Sequence, residues 1–286
     1  MEINGILLAL AAMAGWGILD FLIAHNVRKT EPVKAIFWMR ATASLILLGI
    51  ILLFERNSIT MPSISPWLLL LIAGIINTTA WISFSTGLKK GKATLLAPIA
   101  NSWALVTILI GLFVLHEKLL FEQFVLIGVI LSGIILASVE NTLWKKEKIE
   151  ITGGVSNALL AMVCWGVYFI LLSVFIKELG LLISLCILYV ISALLLGIYA
   201  TIKRISLIKN VHRDLLFTGT LDSMAFLVEG ACLIFIPAVI AAPIITASPV
   251  ITVLLAQLVF KDRIRKHQIL GIVLIIVGIG ALTSLG

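Results

Sequence analysis

The chain is written twice. Ala97-Pro98-Ile99, the turn His116-Glu117-Lys118, Gln123 and Gly133 return as Ala242-Pro243-Ile244, Lys261-Asp262-Arg263, Gln268 and Gly278, always 145 residues later. Met13, Trp16 and Gly17 return as Met162, Trp165 and Gly166 at an offset of 149, and Leu47-Leu48-Gly49-Ile50 as Leu195-Leu196-Gly197-Ile198 at 148. Gly74, Asn77 and Ala80 face Gly219, Asp222 and Ala225 at 145. Small loop insertions account for the changing offset. A divergent repeat of this length constrains the fold more than any single motif, because each unit must find its complement in the other copy.

What the units are made of follows from their solvent. Of 286 residues, 61% are apolar and 12% charged. A soluble domain carries about twice that share of charge, so most of this chain must sit in lipid. Ten apolar runs are long enough, or nearly so, to cross a bilayer: 3–25, 33–54, 66–88, 93–115, 121–139, 152–176, 180–202, 214–236, 238–260 and 267–285. Each approaches the roughly 20 residues a helical span needs. Barrel-type alternation is absent, which leaves helices. The first run has no basic leader and no small-residue cleavage site, so it reads as a retained helix and not as a signal peptide. The sequence therefore predicts an all-α integral membrane protein of ten transmembrane helices. Residues 1–140 form the first repeat, 141–151 a cytoplasmic linker and 152–286 the second repeat. Five is odd, so the second copy enters the membrane inverted, a layout that places binding sites near the midplane where the copies meet.

Basic residues set the orientation. The loops after spans 1, 3, 5, 7 and 9 and their flanks carry 18 lysines and arginines, against 3 on the other side. The positive-inside rule puts those loops in the cytoplasm and both termini outside, in the plasma membrane of the cell. The net charge of +7 then belongs to the membrane surface and not to nucleic acid. Cys164, Cys186 and Cys232 lie inside apolar runs without metal spacing and read as small core residues.

These features together resemble the drug/metabolite transporter superfamily, in particular the EamA branch of ten-helix metabolite exporters and its amino-acid exporters. The resemblance rests on the Trp-Gly pair midway along spans 1 and 6 and the proline early in spans 4 and 9. The acidic turn before spans 5 and 10, the glutamine that opens them and the glycine within them complete the set. Asp262 where the family usually shows glutamate, and the additional Pro249, are departures. The resemblance implies a carrier of amino acids or other small metabolites, with spans 1, 3, 4, 6, 8 and 9 around a central cavity.

The residues themselves nominate a site. An ionised side chain in mid-bilayer costs about 2.5–3.5 kcal/mol and should face a cavity or a partner. Asp222 and Glu229 stand two helical turns apart on one face of span 8, with Phe226 between them. Together with Asp20, they are the candidates for proton coupling. Trp16, Trp81, Trp103 and Trp165 sit too deep for interfacial anchors and could form walls of a binding pocket or pack helix to helix. Asn77 and Asn101 can orient a solute or bond between helices. Pro98, Pro243 and Pro249 are candidate hinges. Glycines such as Gly128, Gly133, Gly271 and Gly278 read as points of close helix contact. The acidic turns read as caps of the helices that follow them. Arg40 is the deepest basic residue, and the simplest expectation is that it reaches back to the cytoplasmic surface.

The leading expectation is a secondary carrier that exports small metabolites by alternating access and is not an enzyme: no P-loop points to ATP, and no metal or other cofactor is expected. Its expected partners are a small molecule, lipid and, as candidate coupling ion, protons, as monomer or weak homo-oligomer, without nucleic acid. Two mid-membrane acids favour a cationic or zwitterionic solute. A carrier of nucleotide sugars or other phosphorylated solutes is the alternative, and it would need basic residues in the cavity. A membrane-embedded enzyme is the remote one, since the four histidines fall at span ends or in loops without ligand spacing.

Overall fold

The computed structural model describes residues 3–54, 64–90, 96, 99–138, 154–209, 211–260 and 265–285. Among these residues all regular structure is helical. The helices are α1 (Ile3–Lys29), α2 (Pro32–Phe54), α3 (Ile64–Lys90), α4 (Trp103–Phe113), α5 (Phe121–Ser138), α6 (Val155–Leu179), α7 (Leu181–Ile202), α8 (Arg213–Phe235), α9 (Ala238–Ile245), α10 (Pro249–Phe260) and α11 (Lys266–Ser284). Seven of them, α1, α2, α3, α6, α7, α8 and α11, are long and apolar enough to cross a membrane. Large apolar side chains such as Leu53, Phe54, Phe121, Phe217 and Ile276 point outward, as lipid-facing surfaces do.

The helix ends follow from local chemistry. Pro32 opens α2, where its missing N–H costs nothing. Gly180 separates α6 from α7 with a φ of 83°, a left-handed conformation that glycine adopts without strain. Gln123 and Gln268, repeat partners, close the first turns of α5 and α11. Their side-chain oxygens accept the backbone N–H groups of Leu120 at 3.0 Å and Arg265 at 3.1 Å. The carboxylate of Glu117 was expected to cap α5, but it reaches elsewhere. It accepts the N–H of Val239 at 3.3 Å, in the first turn of α9, where the helix dipole favours an anion. The corresponding turn 261–264 lies outside the described residues.

The repeat dictates the packing, which is largely between halves. α1 lies against α8 and α3 against α6; α4 lies against α6 and α10 against α1; α2 pairs with α7 and α5 with α11. Exchanging the halves leaves this pattern unchanged. The repeat-equivalent helices α5 and α11 run antiparallel, since Gln268 meets Ala137 while Gly278 meets Ile130. So do α2 and α7, because Gly197 meets Phe37 while Tyr189 meets Arg40.

Glycines permit the closest approaches, and these also come in pairs. A Cβ on Gly17 would stand 2.7 Å from the carbonyl oxygen of Ser248 and 2.5 Å from Cβ of Ile251. On Gly166 it would stand 2.8 Å from the carbonyl oxygen of Trp103 and 2.5 Å from Cβ of Val106. Gly133, Gly271 and Gly278 are similarly tight, but Gly128 faces open space. The expectation of close contact therefore fails at Gly128, which lies on the outward face of α5.

Two runs expected to be continuous, 93–115 and 238–260, are each broken at the same point of the repeat. Ser102 donates to the carbonyl of Ile99 at 3.2 Å and Ala247 to that of Ile244 at 3.2 Å. Leu105 donates to Ser102 at 3.0 Å and Val250 to Ala247 at 3.0 Å. These i→i+3 bonds tighten the chain and interrupt the α-helical ladder. Pro249, at the first position of α10, supplies no donor and enforces the stop in the second half. Its counterpart Ala104 does not, so proline is not the only cause.

Candidate functional site

The two breaks face one cavity, which with the open space at its mouth holds about 550 Å³. Its wall is built from repeat-equivalent residues in pairs: Trp16 with Trp165, Asp20 with Phe169, Trp81 with Phe226, Asn101 with Thr246, and Trp103 with Ser248. A cavity lined this way straddles the pseudo-two-fold relation between the halves. Tyr168, Glu229 and Ile245 complete the lining.

Aromatic contacts obey the same relation. The Trp16 ring meets Phe226 edge-on, with centroids 4.7 Å apart. Trp165 meets Trp81 edge-on at 5.2 Å. Such edge-to-face pairs fix ring orientation as well as burying area. The relation then breaks at one position. Trp165 also packs on Phe84, at 5.3 Å, whereas Trp16 donates its indole N–H to Glu229, the repeat counterpart of Phe84. The walls are matched and the charge is not: a carboxylate stands where the other half has a phenyl ring.

Behind Phe226 lies the other departure from symmetry. Arg40 Nη1 donates to Asp222 Oδ2 at 2.9 Å, with exposures of 1% and 0%. The guanidinium is held between the rings of Tyr189 at 4.8 Å, Trp81 at 4.9 Å and Phe226 at 5.2 Å. Arg40 thus pairs in the interior, against the expectation that it would reach back to the surface. Three aromatic faces and one carboxylate hold it there, the carboxylate through Nη1 alone. Tyr189 donates its hydroxyl to the backbone carbonyl of Asp222 at 3.3 Å. Asp222, expected on the cavity face, is closed off from it by this pairing.

Seven of the nine nominated binding residues line the cavity: Trp16, Trp81, Asn101, Trp103, Trp165, Phe226 and Glu229. Asp20 joins them. Asn77 and Asp222, repeat partners, are buried outside the lining, Asn77 at 3% exposure. Pro243 is buried within α9 and Pro249 starts α10, while Pro98 lies outside the described residues. Tyr168, Phe169, Thr246 and Ser248 were not nominated. Each had a signal: the first two follow Trp165 by three and four residues on one helical face, and the other two are the counterparts of Asn101 and Trp103. Among the described residues no group of His, Cys, Asp or Glu is placed to hold a metal ion.

With two carboxylates, an aromatic wall and no lysine or arginine in its lining, the cavity is suited to a small solute carrying positive charge. The model of the EamA-like transporter family matches residues 3–139 and again 152–284. Among curated proteins none matches. A solved structure described only as the crystal structure of a protein shares 16% identity, with a TM-score of 0.81 over 100% of this chain and 99% of that one. At that identity the likeness speaks for the fold alone.

Proposed function

Because the chain belongs to the EamA-like transporter family, a family of membrane transporters of small solutes, we propose that it is a secondary carrier exporting amino acids or related zwitterions and amines. The observation that carries this reading is the position of Glu229. It is 3% exposed, held by Trp16, and set in a cavity shared by both halves. A carboxylate buried at such cost is a receptor for a positive group, on the substrate or on a coupling proton.

In this reading the chain has ten spans. The three beyond the seven long helices are the region of α4, α5, and α9 with α10 taken together. The second half is inverted, which accords with the antiparallel course of α5 against α11. Alternating access then swaps the roles of the two halves about the cavity. The paired breaks at Ser102 and Ala247 supply the bending points, as discontinuous helices do at the centre of other carriers. The basic loops face the cytoplasm and both termini lie outside the plasma membrane. Phosphorylated solutes are less well served, because among the described residues no lysine or arginine lines the cavity.

The test is uptake by the full chain in liposomes, over a panel of amino acids, amines and nucleotide sugars, with and without a pH gradient. Flux of amino acids or amines is expected. Flux confined to nucleotide sugars would overturn the proposal.

A further inference from the structure

Six buried side-chain atoms among the described residues make no hydrogen bond: Arg40 Nε and Nη2, Trp81 Nε1, Tyr168 Oη, Asp222 Oδ1 and Asn77 Oδ1. They are not scattered. Arg40 bonds to Asp222 and lies over Trp81 and Phe226. Tyr168 packs on the same Phe226, with centroids 6.3 Å apart. Asn77 is one helical turn from Trp81 on α3, on the same face.

The way Arg40 and Asp222 meet is as telling as the clustering. Buried arginine–carboxylate pairs frequently join two-point, fork to fork. Here a single bond through Nη1 leaves the Nε–Nη2 edge of the guanidinium without an acceptor, and that edge is the fork that takes a carboxylate two-point. It also leaves one carboxylate oxygen of Asp222 without a donor. Four of the six atoms can donate and two can accept, side by side. An amine would satisfy only the acceptors. A free carboxylate would satisfy only the donors and would bring its charge against Asp222. A head group with ammonium and carboxylate on one carbon satisfies both.

We infer that the Arg40–Asp222 pair is the receptor for the head group of an α-amino acid, its carboxylate on the Nε–Nη2 edge and its ammonium on Asp222 Oδ1. This rests on the reading of the cavity as the substrate site. Trp81 and Phe226 line the cavity and also lie against the guanidinium, so the wall between cavity and pair is one ring thick there. Rotation of Trp81 or Phe226 admits the head group, and the side chain remains among Trp16, Trp103 and Trp165. The neutral pair lets the head group enter without changing the net charge of the interior, which spares the cost of an unbalanced buried ion.

The full chain, purified in detergent, is titrated with each standard amino acid as free acid, methyl ester, N-acetyl derivative and decarboxylated amine. Binding is read from the cavity tryptophans. For any amino acid that binds, the ester, the N-acetyl form and the amine should each bind about tenfold more weakly or worse. Esters or amines binding as well as the free acid overturn the inference and leave the cavity reading standing. Binding by phosphorylated solutes alone overturns both. In the charge-neutral double variant R40Q/D222N, the free acid should lose the most affinity, so that the free acid, ester, N-acetyl form and amine converge on one weak affinity. A pair with a structural role only would lower thermal stability and weaken all four forms alike. Should the double variant not fold, the wild-type series decides by itself.

Discussion

Trp16 on α1 and Glu229 on α8, 213 residues apart in the chain, are joined by a hydrogen bond from the indole N–H to the carboxylate. The equivalent pair in the other half, Trp165 and Phe84, meets ring to ring. A two-fold scaffold has therefore been given a carboxylate at Glu229 that its other half does not match, as it has at Asp20, whose counterpart is Phe169. Glu229→Gln keeps an acceptor for Trp16 and removes the charge. It is expected to lower uptake of cationic or zwitterionic substrate by about tenfold or more, the scale of a lost charged contact, with unaltered expression and thermal stability. Uptake rates in liposomes check this, and an unchanged rate would move Glu229 to a structural role.

The ion pair behind the cavity makes a separate prediction about stability. Removing one partner leaves the other buried without its counter-charge, at a cost of about 3–5 kcal/mol. Arg40→Gln and Asp222→Asn are each expected to be strongly destabilising, and the double variant less so than either. Thermal melts of the four proteins in one detergent close the double-mutant cycle. Additive losses would mean that the 2.9 Å bond contributes no coupling.

Much of this was legible in the residues. The repeat register alone brings Trp16, Trp165, Asn101 and Trp103 to one place, because equivalent positions in two interlocked halves meet about a shared axis. What could not be read was which buried charges find each other. Arg40 and Asp222 lie 182 residues apart on helices of different halves, with unlike counterparts, Leu188 and Asn77. No periodicity links them. The breaks at Ser102 and Ala247 escaped for a related reason: both lie in apolar runs whose composition is that of a continuous span, and only the second has a proline beside it. Glu117 capped a helix from the other half because a carboxylate needs a helix N-terminus nearby in space, and the nearest in sequence is closed by Gln123.

Close packing of α1 on α10 and of α6 on α4 depends on the absence of a Cβ. Gly17→Ala and Gly166→Ala each place a methyl group against a backbone carbonyl at under 3 Å, which the neighbouring helix can relieve only by moving. Each is expected to cost about 1–3 kcal/mol and to slow transport, since these helices frame the cavity. Gly128→Ala meets nothing within 4 Å and should be neutral or stabilising by up to about 1 kcal/mol. Melting temperatures of the three variants give the comparison directly.

Pro249 begins α10 beside Thr246 and Ser248, two residues of the cavity wall. Replacing it by alanine restores a backbone donor at the break and frees the φ that proline fixes. Because Ala104 accompanies the equivalent break in the first half, the variant should still fold and bind. The expected change is a several-fold slower turnover with substrate affinity held within about twofold, the signature of a conformational step. Equal rates in variant and wild type would remove the hinge from the scheme.

The antiparallel course of α5 and α11 makes the inverted arrangement testable from outside the cell. On the proposed five spans per half, the turn at His116, before α5, and the loop at Ser206, after α7, should lie on opposite faces of the membrane. The basic residues around that second loop, Lys203, Arg204 and Lys209, place it in the cytoplasm by the positive-inside rule. Both positions border described helix ends, and Ser206 lies in an exposed loop. In a background lacking Cys164, Cys186 and Cys232, His116→Cys should react with a membrane-impermeant thiol reagent in intact cells, and Ser206→Cys only after the membrane is opened. Labelling of both from the same side would mean that a span has been gained or lost between them, and the inverted repeat would fall with it.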